Sequence, residues 1–329
     1  MKQEAFVARY QTEWRVLERW LEARGPVREK ERKHADLIEL DDLEFAGRYR
    51  RICQHLSIAQ RRGYSPVVID QLEQLMQRGH DVLYRPPAPR WRRVLDFFAA
   101  DFPRQVRRHR VYMAISALLF FAPLIAMIVL LQYRPELVHS VFGQSEISQF
   151  ERMYDPASKG HALGRESGTN LQMFGYYIFN NVSIGFRTFA SGLLGGVGSI
   201  WVLVMNGVII GSVAGHLTAI GYGGPFWRFV SGHSGPELTS IVLAGGAGLR
   251  IGWALIAPGR LSRRRALVEA GRDGAQLVLG VFALLVFAAF IEAYWSSIGW
   301  MPSPVKFSFG IVLWLAIGYW FWRGGRDAP

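Results

Sequence analysis

The run from Ala114 to Leu131, 18 residues without a charge, constrains this chain more than any other feature. A helix of that length and composition crosses a hydrocarbon core of roughly 30 Å, and an extended or irregular segment there would leave backbone groups unsatisfied in lipid. Further apolar stretches follow at about Met173 to Leu194, Ile200 to His216, Pro236 to Ala257, Ala275 to Trp295 and Val305 to Trp322, separated by Gly-rich, Pro-containing or charged breaks. The expected fold is therefore all-α, with a polytopic membrane domain of about six spans. Gly195, Gly196, Gly198 and Ser199 mark either a tight turn or a broken, re-entrant helix, so five spans is the alternative.

Charge divides the chain in two. Of the 38 Lys and Arg, 23 precede residue 111, as do 16 of the 26 Asp and Glu, so residues 1–110 carry a net charge of +7 (23 minus 16) and residues 111–329 read as the membrane domain. In residues 1–110, Trp14, Leu17 and Leu21, and later Leu72, Leu75 and Met76, recur at three-to-four spacing, the period of a helical bundle. Met1 to Arg19 is charged throughout and lacks the apolar core of a signal peptide, which predicts a domain that stays in the cytoplasm. The Pro-containing stretch 85–90 is a stiff break, after which Trp91 to Ala100 is amphipathic and is expected to lie along the membrane surface. No groove-reading or RNA-binding motif accompanies the positive charge, so the anionic leaflet, not nucleic acid, is the expected neighbour.

Six spans place both termini in the cytoplasm. Arg260, Arg263, Arg264, Arg265 and Arg272 then share one cytoplasmic loop region, with Arg323 and Arg326 at the carboxyl end and Arg104, Arg107, Arg108 and Arg110 before the first span. Arg134, Arg152, Lys159, Arg165 and Arg228 fall outside, in part within the polar segment 134–171, with Lys306 at the outer edge of the last span.

Polar side chains within spans are costly against lipid and are the natural site candidates. On the second span Asn180, Ser183, Arg187 and Ser191 share a helical stripe flanked by Asn181; the third carries Asn206, the fourth Glu237 and Arg250, the fifth Glu292, and His233 stands at the mouth of the fourth. One economical packing places Asn180, Asn181, His233, Glu237 and Glu292 in an outer cluster above an inner pair of arginines, Arg187 and Arg250. The plainer reading gives each an interhelical hydrogen bond. Gly207, Gly211 and Gly215, and likewise Gly248 and Gly252, follow the small-xxx-small spacing that lets helices approach closely.

Enzyme templates are missing. There is no phosphate-binding Gly-x-x-x-x-Gly-Lys, no Gly-x-Ser-x-Gly elbow and no clear serine dyad, and Cys53 is the single cysteine. In His233-Ser-Gly-Pro-Glu237 one histidine and one glutamate four apart lack the second histidine of a zinc protease. Ser234 with Glu237 instead reads as a capping box, with Pro236 in the first turn, and Glu237 is expected near the outer membrane boundary within reach of Asn180 or Asn181. No metal and no cofactor is expected.

Asp101-Phe-Pro-Arg-Gln-Val-Arg-Arg-His-Arg110, the Asn180-Asn181 pair, Asn206-Gly207 with Gly211, and His233-Ser-Gly-Pro-Glu237 together resemble the stage II sporulation protein M family over roughly residues 95–295. The resemblance implies an integral membrane protein of a bacterial inner membrane. The founding member belongs to an engulfment complex that recruits cell-wall hydrolases, and members in bacteria that do not sporulate accompany an AAA+ ATPase and von Willebrand factor A-type domain proteins. The sizeable charged domain, the close-packing glycine rows and the missing enzyme templates make a non-enzymatic scaffold or assembly partner the expected function, with residues 1–110 presenting a cytoplasmic docking surface and other membrane proteins, a homo-oligomer included, as expected partners. The polar cluster keeps a small-solute or ion channel or transporter open as the alternative.

Overall fold

The computed structural model describes residues 2–24, 42–83, 90–157 and 169–326; the Pro-containing stretch 85–89, and Lys159 and Arg165, lie outside them. The described residues are helical, with no strand among them. The chain divides at Pro89/Arg90 into two compact units, so the juxtamembrane piece that charge groups with residues 1–110 packs instead with the membrane helices.

The first unit contains α1 (Gln3–Arg24), α2 (Asp42–Arg61) and α3 (Pro66–Leu83). Trp14, Leu17 and Leu21 from α1, Ile52 and Leu56 from α2 and Leu72 and Leu75 from α3 form its core. The helical periodicity thus identifies its inward faces. His55 is buried in this core, where its Nδ1 accepts a hydrogen bond of 3.1 Å from Trp14 Nε1. That bond requires an unprotonated Nδ1. Burial pulls the imidazole below its usual proton affinity, with Glu13 opposing the shift. A histidine with a depressed folded-state pKa contributes fully above its unfolded value of about 6.5 and loses stability as pH falls below it, at up to about 1.4 kcal/mol per pH unit. Hydrogen exchange of α1–α3 amides in the full chain, corrected for intrinsic rates, should therefore show lower protection at pH 5 than at pH 7.5. An equal loss of protection in His55→Leu would refute the assignment.

The second unit begins with α4 (Arg90–Asp96), a π-helical turn (Phe97–Asp101) and α5 (Phe102–Arg108). Trp91, Val94 and Leu95 are exposed, as suits a segment lying on a membrane surface. Phe102 is fully buried, and its ring occupies the space at Gly280 where a side chain would stand.

Beyond it come α6 (Arg110–Tyr133), α7 (Gln144–Tyr154), α8 (Asn170–Ala190), α9 (Val197–Ala219), α10 (Gly223–Val230), α11 (Ser234–Ile256), α12 (Arg263–Phe290) with its π-helical continuation Ile291–Ser296, and α13 (Ser303–Arg323). Among the described residues, five helical segments are long and apolar enough to cross a membrane: α6, α9, α11, α12 with its continuation, and α13. The sixth, α8, has 21 residues but carries Asn180, Asn181 and Arg187.

Packing indicates what α8 does. Gly207, Gly211 and Gly215 of α9 meet Phe120, Leu124 and Ile128 of α6 in that order, so α6 and α9 run parallel and the chain must return between them. On its way back α8 lies antiparallel to α12, with Gly185 against Leu285 and Tyr177 beside Ala289 and Ala293. In turn α11 is antiparallel to α6, Ser116 donating to the Val242 carbonyl while Gly246 meets Met113. The two ends of this unit share one face. Arg104 donates to the Gly325 carbonyl, and Arg107 to those of Phe321 and Gly324.

Candidate functional site

The turn before α11 carries the most chemistry. His233 occupies its N-cap position, 4% exposed, in T-shaped contact with the Phe229 ring. Its Nδ1 lies 2.9 Å from the Ser296 hydroxyl and its Nε2 3.8 Å from Glu237 Oε2. Glu292 completes the group: one ligand atom from each of His233, Glu237 and Glu292 lies within 4.8 Å of the others. Local structure explains the meeting. The π-helical turn Ile291–Ser296 takes more residues per turn than an α-helix, which sets Glu292 and Ser296 about one turn apart on the same side. Gly232 admits that turn, since a Cβ there would lie 3.0 Å from Trp295 and 3.3 Å from the Ser296 hydroxyl.

Lys306 joins this region although its position marks it as a surface residue at a span end. It is 1% exposed and donates 2.7 Å to the Ser296 carbonyl. Four butyl carbons let the ammonium reach inward from the start of α13. Ser296 thus contacts both His233 and Lys306. Neither residue carries a sequence signal beyond its polarity in an apolar stretch.

Three details differ from the sequence expectation. The capping box does not form, because α11 begins at Ser234 itself, whose hydroxyl donates to the Ser231 carbonyl and accepts from Trp314 Nε1 at 3.2 Å. The start of α11 is also not level with the outer end of α13: Trp314 and Ile317, near the middle of α13, pack against Ser234 and Gly235, so α11 starts level with that middle. Short α10 and the turn after it descend into the bundle, and the Ser231 carbonyl fills the space at Gly310. Finally, neither asparagine bonds to Glu237. Asn180 donates to Asn181 at 3.1 Å, and the buried Asn181 Nδ2 has no partner among the described residues.

The inner arginines separate as well. Arg187 is exposed on α8, donates to the Ser183 carbonyl, and lines a cleft of about 220 Å³ with Trp201, Met205 and Asn206. Asn206 itself donates to the Val202 carbonyl at 2.7 Å. Arg250 lines a different cleft, of about 300 Å³, with Tyr112, Trp253 and Glu269. Nearby, His109 Nε2 lies 3.3 Å from Asp273. Burial lowers the His109 proton affinity, Asp273 opposes that shift and Arg250 adds to it. Of the eight polar candidates, then, the structure gathers His233, Glu237 and Glu292, while Asn180, Asn181, Arg187, Asn206 and Arg250 stand apart.

The glycines lie in helix contacts. A Cβ at Gly211 would sit 2.8 Å from Leu124 Cα and one at Gly215 3.0 Å from Ile128 Cα, while Gly207 faces the Phe120 carbonyl and Pro123. Gly248 and Gly252 receive the α8–α9 turn, Gly248 against Ser199 and the Thr188 carbonyl and Gly252 against Gly195 and Gly196.

Two family models match the chain. Residues 116–297, more than half of its length, match Stage II sporulation protein M, and residues 4–85 match Domain of unknown function (DUF8413). No curated protein and no solved structure matches it.

Proposed function

Because the chain belongs to the stage II sporulation protein M family, we propose that it is a non-enzymatic assembly partner of a bacterial inner membrane, docking another membrane protein on the α8–α9 face. The observation that carries this reading is the outward stripe on α8. Asn180 and Arg187 are exposed and Ser183 half-buried on a helix that lies among membrane spans, with Asn206 of α9 beside Arg187. Amide and guanidinium groups facing hydrocarbon are costly, whereas a polar transmembrane partner helix satisfies them. Arginines before α6, between α11 and α12 and after α13 favour that end of the bundle as cytoplasmic. The helical unit of residues 2–24 and 42–83 then offers a cytoplasmic surface, and the AAA+ and von Willebrand factor A-type proteins found beside family members are the partners to seek there.

Affinity isolation of the full chain from solubilised membranes tests this. The double variant Asn180→Leu/Arg187→Leu should recover about tenfold less of a specific membrane partner, equivalent to about 1.4 kcal/mol. An unchanged partner set would overturn the docking face. The channel or transporter reading gains from the His233–Glu237–Glu292 group; vesicle flux above that of empty vesicles, with no partner recovered, would replace the assembly reading by it.

A further inference from the structure

We propose that His233, Glu237 and Glu292 bind one divalent transition-metal cation of the zinc or manganese type within the membrane bundle. Geometry is the first support. Metal–ligand bonds of about 2.1 Å separate the ligand atoms of a tetrahedral centre by about 3.4 Å. His233 Nε2 and Glu237 Oε2 already stand 3.8 Å apart, and one ligand atom from each of the three residues lies within 4.8 Å of the others. Side-chain rotations moving each atom by about 1 Å close them on one ion.

Donor chemistry narrows the ion. One imidazole with two carboxylates suits Zn²⁺ or Mn²⁺; the absence of a thiolate from the group disfavours Cu⁺, and the imidazole disfavours the all-oxygen sites of Ca²⁺ and Mg²⁺.

The support around the histidine is a second, independent observation. A metal-bound imidazole is oriented by a hydrogen bond at its other nitrogen. Here Nδ1 is engaged by the Ser296 hydroxyl at 2.9 Å, which leaves Nε2 facing Glu237. With metal on Nε2, Nδ1 carries the proton and donates it to that hydroxyl. Ser296 is held in turn by Lys306 through its carbonyl and by the π-helical turn that also presents Glu292. The imidazole is 5% exposed and the Glu237 side chain 20% exposed. This site and the α8–α9 docking face use different residues, so either can fail alone.

The test uses the full chain without a histidine tag, purified in detergent and stripped of metal by chelation. Zn²⁺ titrated by calorimetry should bind once per chain, and Co²⁺ in its place should give visible d–d absorption. Glu237→Gln and Glu292→Gln should each weaken Zn²⁺ at least tenfold, and the double variant should lose the site. Zn²⁺ should raise the melting temperature of the wild type and leave that of the double variant unmoved. Ser296→Ala keeps all three ligands and should weaken binding by about 10- to 100-fold, so it reads the site even where a glutamine variant does not fold. Absence of saturable Zn²⁺ binding by the wild type, or wild-type affinity retained both in Ser296→Ala and in the folded double variant, would overturn the proposal.

Discussion

Gly252→Ala is expected to lower the melting temperature of the detergent-solubilised chain by about 6–12 °C, the shift that about 3 kcal/mol of overpacking produces in a domain of this size. The added Cβ would stand 2.6 Å from the Gly195 carbonyl carbon and closer still to the Gly196 backbone. Both neighbours are main-chain atoms of the turn joining α8 to α9, and both have positive φ, 65° at Gly195 and 84° at Gly196. A side-chain tip can rotate away from a new methyl group, but this backbone can move only by lifting α8 and α9 off α11. Gly271→Ala is the internal control: nothing lies within 4 Å of its Cβ position, so in the helix interior it should be neutral or stabilise by about 0.5–1 kcal/mol. Equal melting of Gly252→Ala and wild type would mean that the α8–α9 turn does not seat on α11 as described.

The second large effect is expected at Arg107. Its guanidinium donates through Nη1 to the Phe321 carbonyl and through Nη2 to that of Gly324, each at 2.6 Å. These carbonyls close the last turn of α13, where the helix leaves acceptors without intrahelical partners. Arg107→Ala removes two charge-assisted bonds, worth about 1.5–3 kcal/mol each and not fully additive, so the end of α13 should become less stable by about 3 kcal/mol. Amide exchange of the last α13 turn should then quicken by about 100-fold. Arg107→Lys retains the charge but not the planar fork and should fall between the two. Unchanged exchange in Arg107→Ala would show that Arg104 and Trp320, through Gly325 and the Phe98 carbonyl, hold this end unaided.

Periodicity explains why the helices were legible. Trp14, Leu17 and Leu21 are buried together because residues three and four apart share one helix face, whatever that helix packs against. Length and apolarity identify α6 as a span for the same local reason. The stripe Asn180, Ser183 and Arg187 was legible as a stripe, yet the rotation that turns Asn180 and Arg187 outward is a property of the bundle.

The sequence alone determined what neighbouring residues dictate: an all-helical chain, a charged leading unit, apolar spans, and glycine rows that permit close approach. Only the tertiary structure decided that α6 and α9 run parallel, that α11 starts level with the middle of α13, that Ser234 serves Ser231 and Trp314 instead of a capping box, and that Glu292 and Lys306 converge on His233 and Ser296. The physical reason is that helical period specifies which residues share a face, while the depth, direction and rotation of each helix follow from contacts between residues far apart in the chain.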